Sequence, residues 1–566
     1  MSKNIIVCSD GTGNTAIKGR GTNVFKMFES VDLNSHRFHP ERAPQVAIYD
    51  DGVGTESFKP LKIVGGAAGV GLSRNVRQLY RELCRVYDPG DRIFLFGFSR
   101  GAFTVRSLGG LIDACGIIDV SRQRGSDELG RAVEEAYQAY RDCYRTDLMK
   151  LFRGEPDRAA AKAFRQRHCH GGEKIWFVGV WDTVDAVGLP LHVADAVNKG
   201  IYQFKFPNLV PSRCVQHAYH ALAIDDERQS FHPLMWDQSV PPAPGQVVEQ
   251  VWFAGVHSNV GGGYPKQGMS LVALDWLMHK AEAAGLRFVA GDRQGYRDHA
   301  NVDDKLYDSR CGLGVFYRWL PRPIAQMCRS SGVQPKIHLS VLERIAHGTD
   351  DYRPGNLPPD SVVVITPTGD ASKDAAARAR AAAAQKVLQE QHRDGRSLLE
   401  VVDRYVRVGR HAYRVMLFTC IALLLLAARP ADAAAQFGWG YFESLGRLLF
   451  GLFTSPIDTA LALLRGESAI LLVGVLVGGL LLARLLSWYS NRGMNREFAG
   501  FWFREQQTLR NALKQARVNS RTDLPAVAGS VARSSQQYEH AQQQEDAGGD
   551  AMHDSHGQLA RSDFAQ

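Results

Sequence analysis

The sequence predicts an α/β fold, a largely parallel sheet covered by helices, and three observations predict it. Short apolar runs bounded by Gly or Asp occur at residues 4–8, 45–49, 92–97, 175–181 and 248–255. Helical patterns separate these runs, the alternation that β-α-β crossovers produce. With 566 residues, 45% of them hydrophobic, the chain can also bury one large core and still leave further regions over, which excludes a disordered chain.

The elements follow in order. The first run has only four apolar residues, Ile5 to Cys8, too few for the core of a secretory signal, so no Sec-type leader is expected. Between the third and fourth runs, residues 127–167 are polar and helix-rich, with apolar positions at irregular three and four spacing. They read as an inserted cap spanning about 120–172, inside a first domain of residues 1–370. An Ala/Arg/Gln tract at 371–391 and a charged helical stretch through Arg410 read as a connecting helix, 371–411, rather than core.

Two strongly apolar segments follow, 412–428 and 469–489, each carrying one Arg near an end, where a long side chain can snorkel to an interface. Neither presents a polar face to water, so they read as a membrane hairpin over 412–489. Arg404, Arg407 and Arg410 precede the first segment, and Arg492, Arg496 and Arg504 follow the second, which favours the cytoplasm for both flanks. The expected location is therefore the bacterial inner membrane with the first domain cytoplasmic. In the connection, the apolar stretch 444–464 is broken by Arg447, Pro456 and Asp458 and reads as interfacial. A cytoplasmic helix is expected over 490–518, and a disordered tail over 519–566, which lacks periodic apolar residues.

Composition and near-miss motifs exclude several functions. The net charge of +8 is modest, and Lys and Arg interleave with acids through the first 370 positions, so nucleic acid is not an expected partner. Nine scattered cysteines without a CxxC pair read as reduced thiols. Asp10-Gly11-Thr12 resembles part of a phosphatase motif, but Cys8 stands where that motif needs its aspartate nucleophile. The glycine-rich stretch 65–73 lacks the Gly-Lys-Ser/Thr ending that holds phosphate and magnesium. His168-Cys169-His170 has no second ligand pair, so no metal and no cofactor are expected.

The sharpest chemical signal is Gly97-Phe98-Ser99-Arg100-Gly101, directly after an apolar run and before a helical pattern. Strand, sharp turn and helix form the context in which a serine is lifted clear of a sheet, and Gly97 and Gly101 keep the turn free of colliding side chains. A serine hydroxyl needs a base oriented by a carboxylate, and in such folds the chain order is Ser, acid, His. Asp182 ends the run VGVW at 178–181 and is the chosen acid, with Asp185, Asp225 and Asp226 as competitors. His257, where the run 251–256 gives way to a glycine loop, is the chosen base, with His217, His220 and His232 as rivals. The amide of Arg100 is one expected oxyanion donor, and the loop after the first strand offers Gly11 and Thr12 for the second.

Six ordered motifs carry a family resemblance: DGTGN at 10–14, YDDGVGT at 49–55, GFSRGAF at 97–103, GVWDTV at 179–184, IDDERQSF at 224–231 and VWFAGVHSNVGGGY at 251–264. Together they resemble an α/β-hydrolase family, long filed as a domain of unknown function, that includes phospholipase effectors of bacterial type VI secretion. The resemblance covers residues 1–370 and implies a triad of Ser99, Asp182 and His257 with phospholipase A-type ester cleavage. It further implies membrane lipids as substrate, and secretion-spike and immunity proteins as partners. Where the family often carries aspartate after the His-Ser pair, this chain has Asn259. Hydrolysis of soluble carboxylic esters and an inactive membrane-tethered interaction module stand as the alternative readings.

Overall fold

The structure, a computed structural model, describes residues 2–11, 21–51, 67–143, 157–185, 209–311, 317–391, 398–427 and 469–522. Its strands are β1 (Asn4–Ser9), β2 (Gln45–Asp50), β3 (Arg92–Phe98), β4 (Ile175–Trp181), β5 (Val215–Ala223), β6 (Val247–Phe253), β7 (Lys336–His338) and β8 (Val362–Val364). Its α-helices are α1 (Asn23–Glu29), α2 (Ala67–Val86), α3 (Arg100–Cys115), α4 (Ser126–Asp142), α5 (Ala159–His168), α6 (His257–Gly261) and α7 (Gly268–Ala283). They continue as α8 (Ala290–Asp298), α9 (Ile324–Ser330), α10 (Leu339–His347), α11 (Ala371–Gln391), α12 (Leu398–Val401), α13 (Asp403–Ala427) and α14 (Ala469–Thr522).

The eight strands form one sheet in the order β2-β1-β3-β4-β5-β6-β7-β8, and every pairing is parallel. Side chains alternate faces along a strand, and the central strands are apolar on both. Ile5, Val7, Ile93 and Leu95 pack under α2 and α3 on one side. Ile6, Cys8, Phe94 and Phe96 pack against α1 and α7 on the other. A strand covered on both faces reads as a continuous hydrophobic run, as β1, β3 and β4 do, and the shorter apolar stretches of the edge strand β2 and of the buried end of β6 also appear as strands. β5 escaped that reading because its sequence, VQHAYHALA, mixes Gln and His into the run, and β7 and β8 have only three residues each.

The polar insertion after β3 is helical. In its described part, α4 and α5 bury Val133, Ala136, Tyr140 and Phe164 in the same cluster as α3, extending that helical layer. Residues 144–156 of the expected cap lie outside the described residues.

A third cluster joins the far strands to the C-terminal helices: Leu222, Trp252, Ile337 and Val363 pack with Ala384 and Leu388 of α11 and with Trp502 and Leu509 of α14. Helix α11, expected as a connector, is thus part of a core. Its alanines give no bulky apolar stripe to read, but they let neighbouring helices approach closely. Helix α14 spans 54 residues unbroken where a membrane segment, a separate helix and the start of the tail were expected. No proline interrupts it, so nothing stops its hydrogen-bond ladder. α13 and α14 pack along each other, with Gly479 against the side chain of Thr419.

Both helices are long and apolar enough to cross a membrane, with mean hydropathies of 1.4 and 2.4 over their most apolar stretches. Ile470, Phe418, Leu481 and Leu485 stand 89%, 65%, 63% and 60% exposed, apolar surface that a soluble helix pair would bury. The expected interfacial stretch 444–464 and the tail from 523 onward lie outside the described residues.

Trp502 is buried, and its indole Nε1 donates to Pro354 O at 2.9 Å. Trp502→Ala is expected to lower unfolding free energy by about 3–5 kcal/mol, as for other buried aromatic truncations, measured by denaturant titration in detergent. Unchanged stability would show that α14 is not part of the third core.

Candidate active site

Parallel strands place their C-terminal ends along one edge, where α/β sheets carry their ligand sites. Ser99 follows β3, Asp182 follows β4, Asp225 and Asp226 follow β5, and His257 follows β6. Ser99 sits at φ 58°, ψ −121°, as N-cap of α3. A non-glycine residue held there stores strain that the surrounding structure must impose. The closeness of the turn explains both glycines. A Cβ on Gly97 would lie 2.6 Å from Gly101 O, and one on Gly101 would strike the carbonyl oxygens of Ser9 and Asp10.

Asp182 and His257 meet. Nδ1 of His257 donates to Asp182 Oδ2 at 2.6 Å, with both side chains buried. The carboxylate is held from other sides as well: Oδ1 accepts from the amide of Ala223 at 2.9 Å. Arg322 forks onto both oxygens, Nη1 to Oδ1 at 2.7 Å and Nη2 to Oδ2 at 2.8 Å. Burial alone pushes the Asp182 carboxyl upward, but the Arg322 guanidinium and these hydrogen bonds hold it well below the usual carboxylate range. Burial likewise lowers the His257 pKa below 6.5, partly opposed by Asp182, so the ring is neutral at pH 7.

The imidazole is packed between aromatics, its centroid 4.6 Å from that of Phe98 and 5.1 Å from that of Phe231. Its Nε2 is buried without a hydrogen-bond partner among the described residues. The ring therefore lies against the residue that precedes Ser99, but the hydroxyl and Nε2 are not bonded here. Such bonds are commonly long before substrate binds.

The rivals take other duties. Asp226 accepts the backbone amide of His257 at 3.2 Å and a fork from Arg228. Asp225 accepts from Gly255 N at 2.6 Å and from the Tyr352 hydroxyl, and burial raises its pKa to about 6. Asp185 is exposed. His220 is buried between Thr183 and Gln250, His232 pairs with Leu320 O at 3.0 Å, and His217 lies edge-on to Trp176.

Arg100 is the first residue of α3, so its amide is among the unpaired donors of a helix N-terminus beside Ser99. The Gly11 amide is already committed to Asp10 Oδ1 at 2.6 Å, so in this arrangement it is not a free oxyanion donor. Thr12 lies outside the described residues. Asn259 has a bracing duty: its Nδ2 donates to Lys305 O at 3.0 Å and its Oδ1 accepts from Tyr307 N at 3.3 Å. A carboxylate could not make the first of these bonds.

Sequence reasoning missed Arg322. The signal available was an arginine wedged between Pro321 and Pro323 in the otherwise apolar stretch 319–325. A cation in such a place must find a buried anion.

Residues 3–280 match the family model described as T6SS, Phospholipase effector Tle1-like, catalytic domain. Over 246 residues the chain is 26% identical to an uncharacterized protein of Saccharomyces cerevisiae, YEL023C. That match covers 41% of this chain, and the chain spans only 32% of the yeast relative's length. Among solved structures, a crystal structure of an uncharacterized protein from Pseudomonas aeruginosa aligns at TM-score 0.30 and 17% identity, covering 86% of this chain and 67% of that one.

The Asp225 carboxyl, with its folded value near 6 against about 3.9 when unfolded, favours folding when protonated. Its contribution is complete below about pH 3.9 and is lost as pH rises through about 6. Asp225→Asn keeps acceptors for Gly255 and Tyr352. Its stability relative to wild type is therefore expected to rise between about pH 4 and pH 6 and then level off, as read by urea unfolding. A difference that does not vary with pH would refute this.

Proposed function

Because the chain belongs, through residues 3–280, to the family of Tle1-like type VI secretion phospholipase effector catalytic domains, we propose that it is a serine hydrolase of phospholipase A type. Its substrates are membrane lipid esters, and Ser99, Asp182 and His257 carry the reaction. The observation that carries this reading is the 2.6 Å bond from His257 Nδ1 to Asp182 Oδ2. It fixes the tautomer in which Nε2 bears a lone pair, and that nitrogen has no competing partner among the described residues.

In this mechanism Ser99 Oγ attacks the ester carbonyl while Nε2 takes its proton, and Asp182 stabilises the imidazolium. The proton passes to the departing alcohol oxygen, and water, activated by the same imidazole, then releases the fatty acid from Ser99. The Arg100 amide serves the oxyanion, a donor of the kind worth roughly 3–4 kcal/mol in the barrier. The exposed apolar faces of α13 and α14 fit an enzyme whose substrate lies in a bilayer. The inner membrane with a cytoplasmic catalytic domain, and secretion-spike and immunity proteins as partners, complete the proposal.

Wild type and Ser99→Ala presented with phospholipid vesicles and with short-chain soluble esters test it. Fatty-acid release from vesicles is expected to fall at least about 1000-fold in the variant. Equal turnover removes Ser99 from the mechanism, and cleavage of soluble esters alone removes the lipid assignment. Since the base must be neutral, kcat/KM is expected to hold at pH 7 and decline as pH falls through the lowered pKa of His257. A profile whose acid limb lies above 6.5 would contradict the burial argument.

A further inference from the structure

We propose that Arg322 is a positioning residue of this site, a guanidinium clamp that stops the Asp182 carboxylate from rotating and leaves one lone pair, on Oδ2, for His257. The inference rests on the triad reading above and adds a residue to it.

The geometry is that of a two-point fork. Nη1 and Nη2 each reach a different oxygen of Asp182, at 2.7 and 2.8 Å, and Arg322 is wholly buried. A planar guanidinium bonded to both oxygens locks the plane of the carboxylate, which a single hydrogen bond to lysine cannot do. The clamp is itself clamped. Nη1 also donates to Ala223 O and Nη2 to Phe231 O, the latter at 2.5 Å. The backbone carbonyl of Arg322 accepts from Asn356 Nδ2 at 3.2 Å, and the same amide nitrogen donates to Ile224 O at 2.9 Å. Pro321 and Pro323 on either side limit the backbone further. With Arg322 and the Ala223 amide fixing the carboxylate, the direction left open is the one His257 occupies.

The other charged and titratable groups facing this cluster are Asp225 and Asp226 after β5, Arg228 in the following loop, and the buried rings of His220 and His232. Arg228 is already paired with Asp226, so no second cation replaces Arg322 on Asp182.

Arg322→Gln and Arg322→Lys in the full chain, assayed on phosphatidylcholine vesicles beside wild type and Ser99→Ala, separate positioning from bulk stability. Arg322→Gln removes the charge, so the full negative charge of Asp182 acts on the imidazolium. The acid limb of kcat/KM is expected to move up by about one pH unit, and kcat to fall about 100-fold with KM little changed. Arg322→Lys keeps the charge and loses the fork, so the limb is expected to stay in place while kcat falls about 10-fold. Thermal melting identifies the folded variants, and Arg322→Lys alone decides if Arg322→Gln does not fold. A folded Arg322→Lys with wild-type kcat, or a folded Arg322→Gln with an unmoved limb, overturns the clamp even if melting temperature drops. Activity surviving in Ser99→Ala would instead overturn the triad reading, so the two failures are distinguishable.

Discussion

One buried negative charge organises this molecule. Asp182 has no solvent exposure, and an isolated carboxylate in such a place would take up a proton rather than stay ionised. It stays ionised because Arg322 meets it with two N–H groups, Ala223 with an amide and His257 with Nδ1. The residue itself adopts φ 37°, a conformation that aspartate tolerates better than most side chains and that only fixed surroundings maintain. Breaking such a pair from one side leaves a bare buried charge, which typically costs about 3–5 kcal/mol. The same bonds that align the imidazole therefore hold strand ends and loops together.

Topology explains how residues so distant in sequence converge. β4, β5 and β6 are adjacent and parallel, so their C-terminal ends emerge side by side. Residue 182, the stretch 223–226 and residue 257 lie at the ends of three successive strands, and Arg322 enters from the connection before β7. Asn356 then ties Arg322 and Ile224 to the segment that α14 grips through Trp502. A cavity of about 630 Å³ lies along this seam, lined on one side by Asp226, Val256 and Arg322 and on the other by Met494 and Phe498.

How much was legible in the sequence follows from the same physics. Strands buried on both faces announce themselves as apolar runs, so β1, β3 and β4 could be read, and the shorter apolar stretches of the edge strand β2 and of the buried end of β6 could be read beside them. β5 could not, because its buried His220 is satisfied only by Thr183 and Gln250, partners that sequence does not place beside it. The elbow at Ser99 was legible because strain demands glycine on both sides. The Asp182–His257 pair was legible because each follows a strand. Arg322 was not, since nothing local says which carboxylate a buried arginine will meet. The Gly11 donor failed for a related reason: Asp10, one residue earlier, folds back to take that amide. Helix α11 misled because alanine-rich surfaces look neutral until a partner helix covers them.

The continuity of α14 changes how the apolar hairpin relates to the chemistry. From Ile470, almost fully exposed, to Trp502, almost fully buried, the helix runs without a break, about 48 Å at 1.5 Å per residue. A flexible tether would let the hydrolase domain tumble against a bilayer. A single helix whose far end is part of the domain core does not, because reorienting it would expose Trp502 and Leu509 and break the bonds from Gln506 and Arg510 to the end of α10. The apolar surface and the Ser99 edge are thus fixed in one frame, so on the proposed membrane location the angle at which the sheet would meet a bilayer is a property of the fold rather than of a linker.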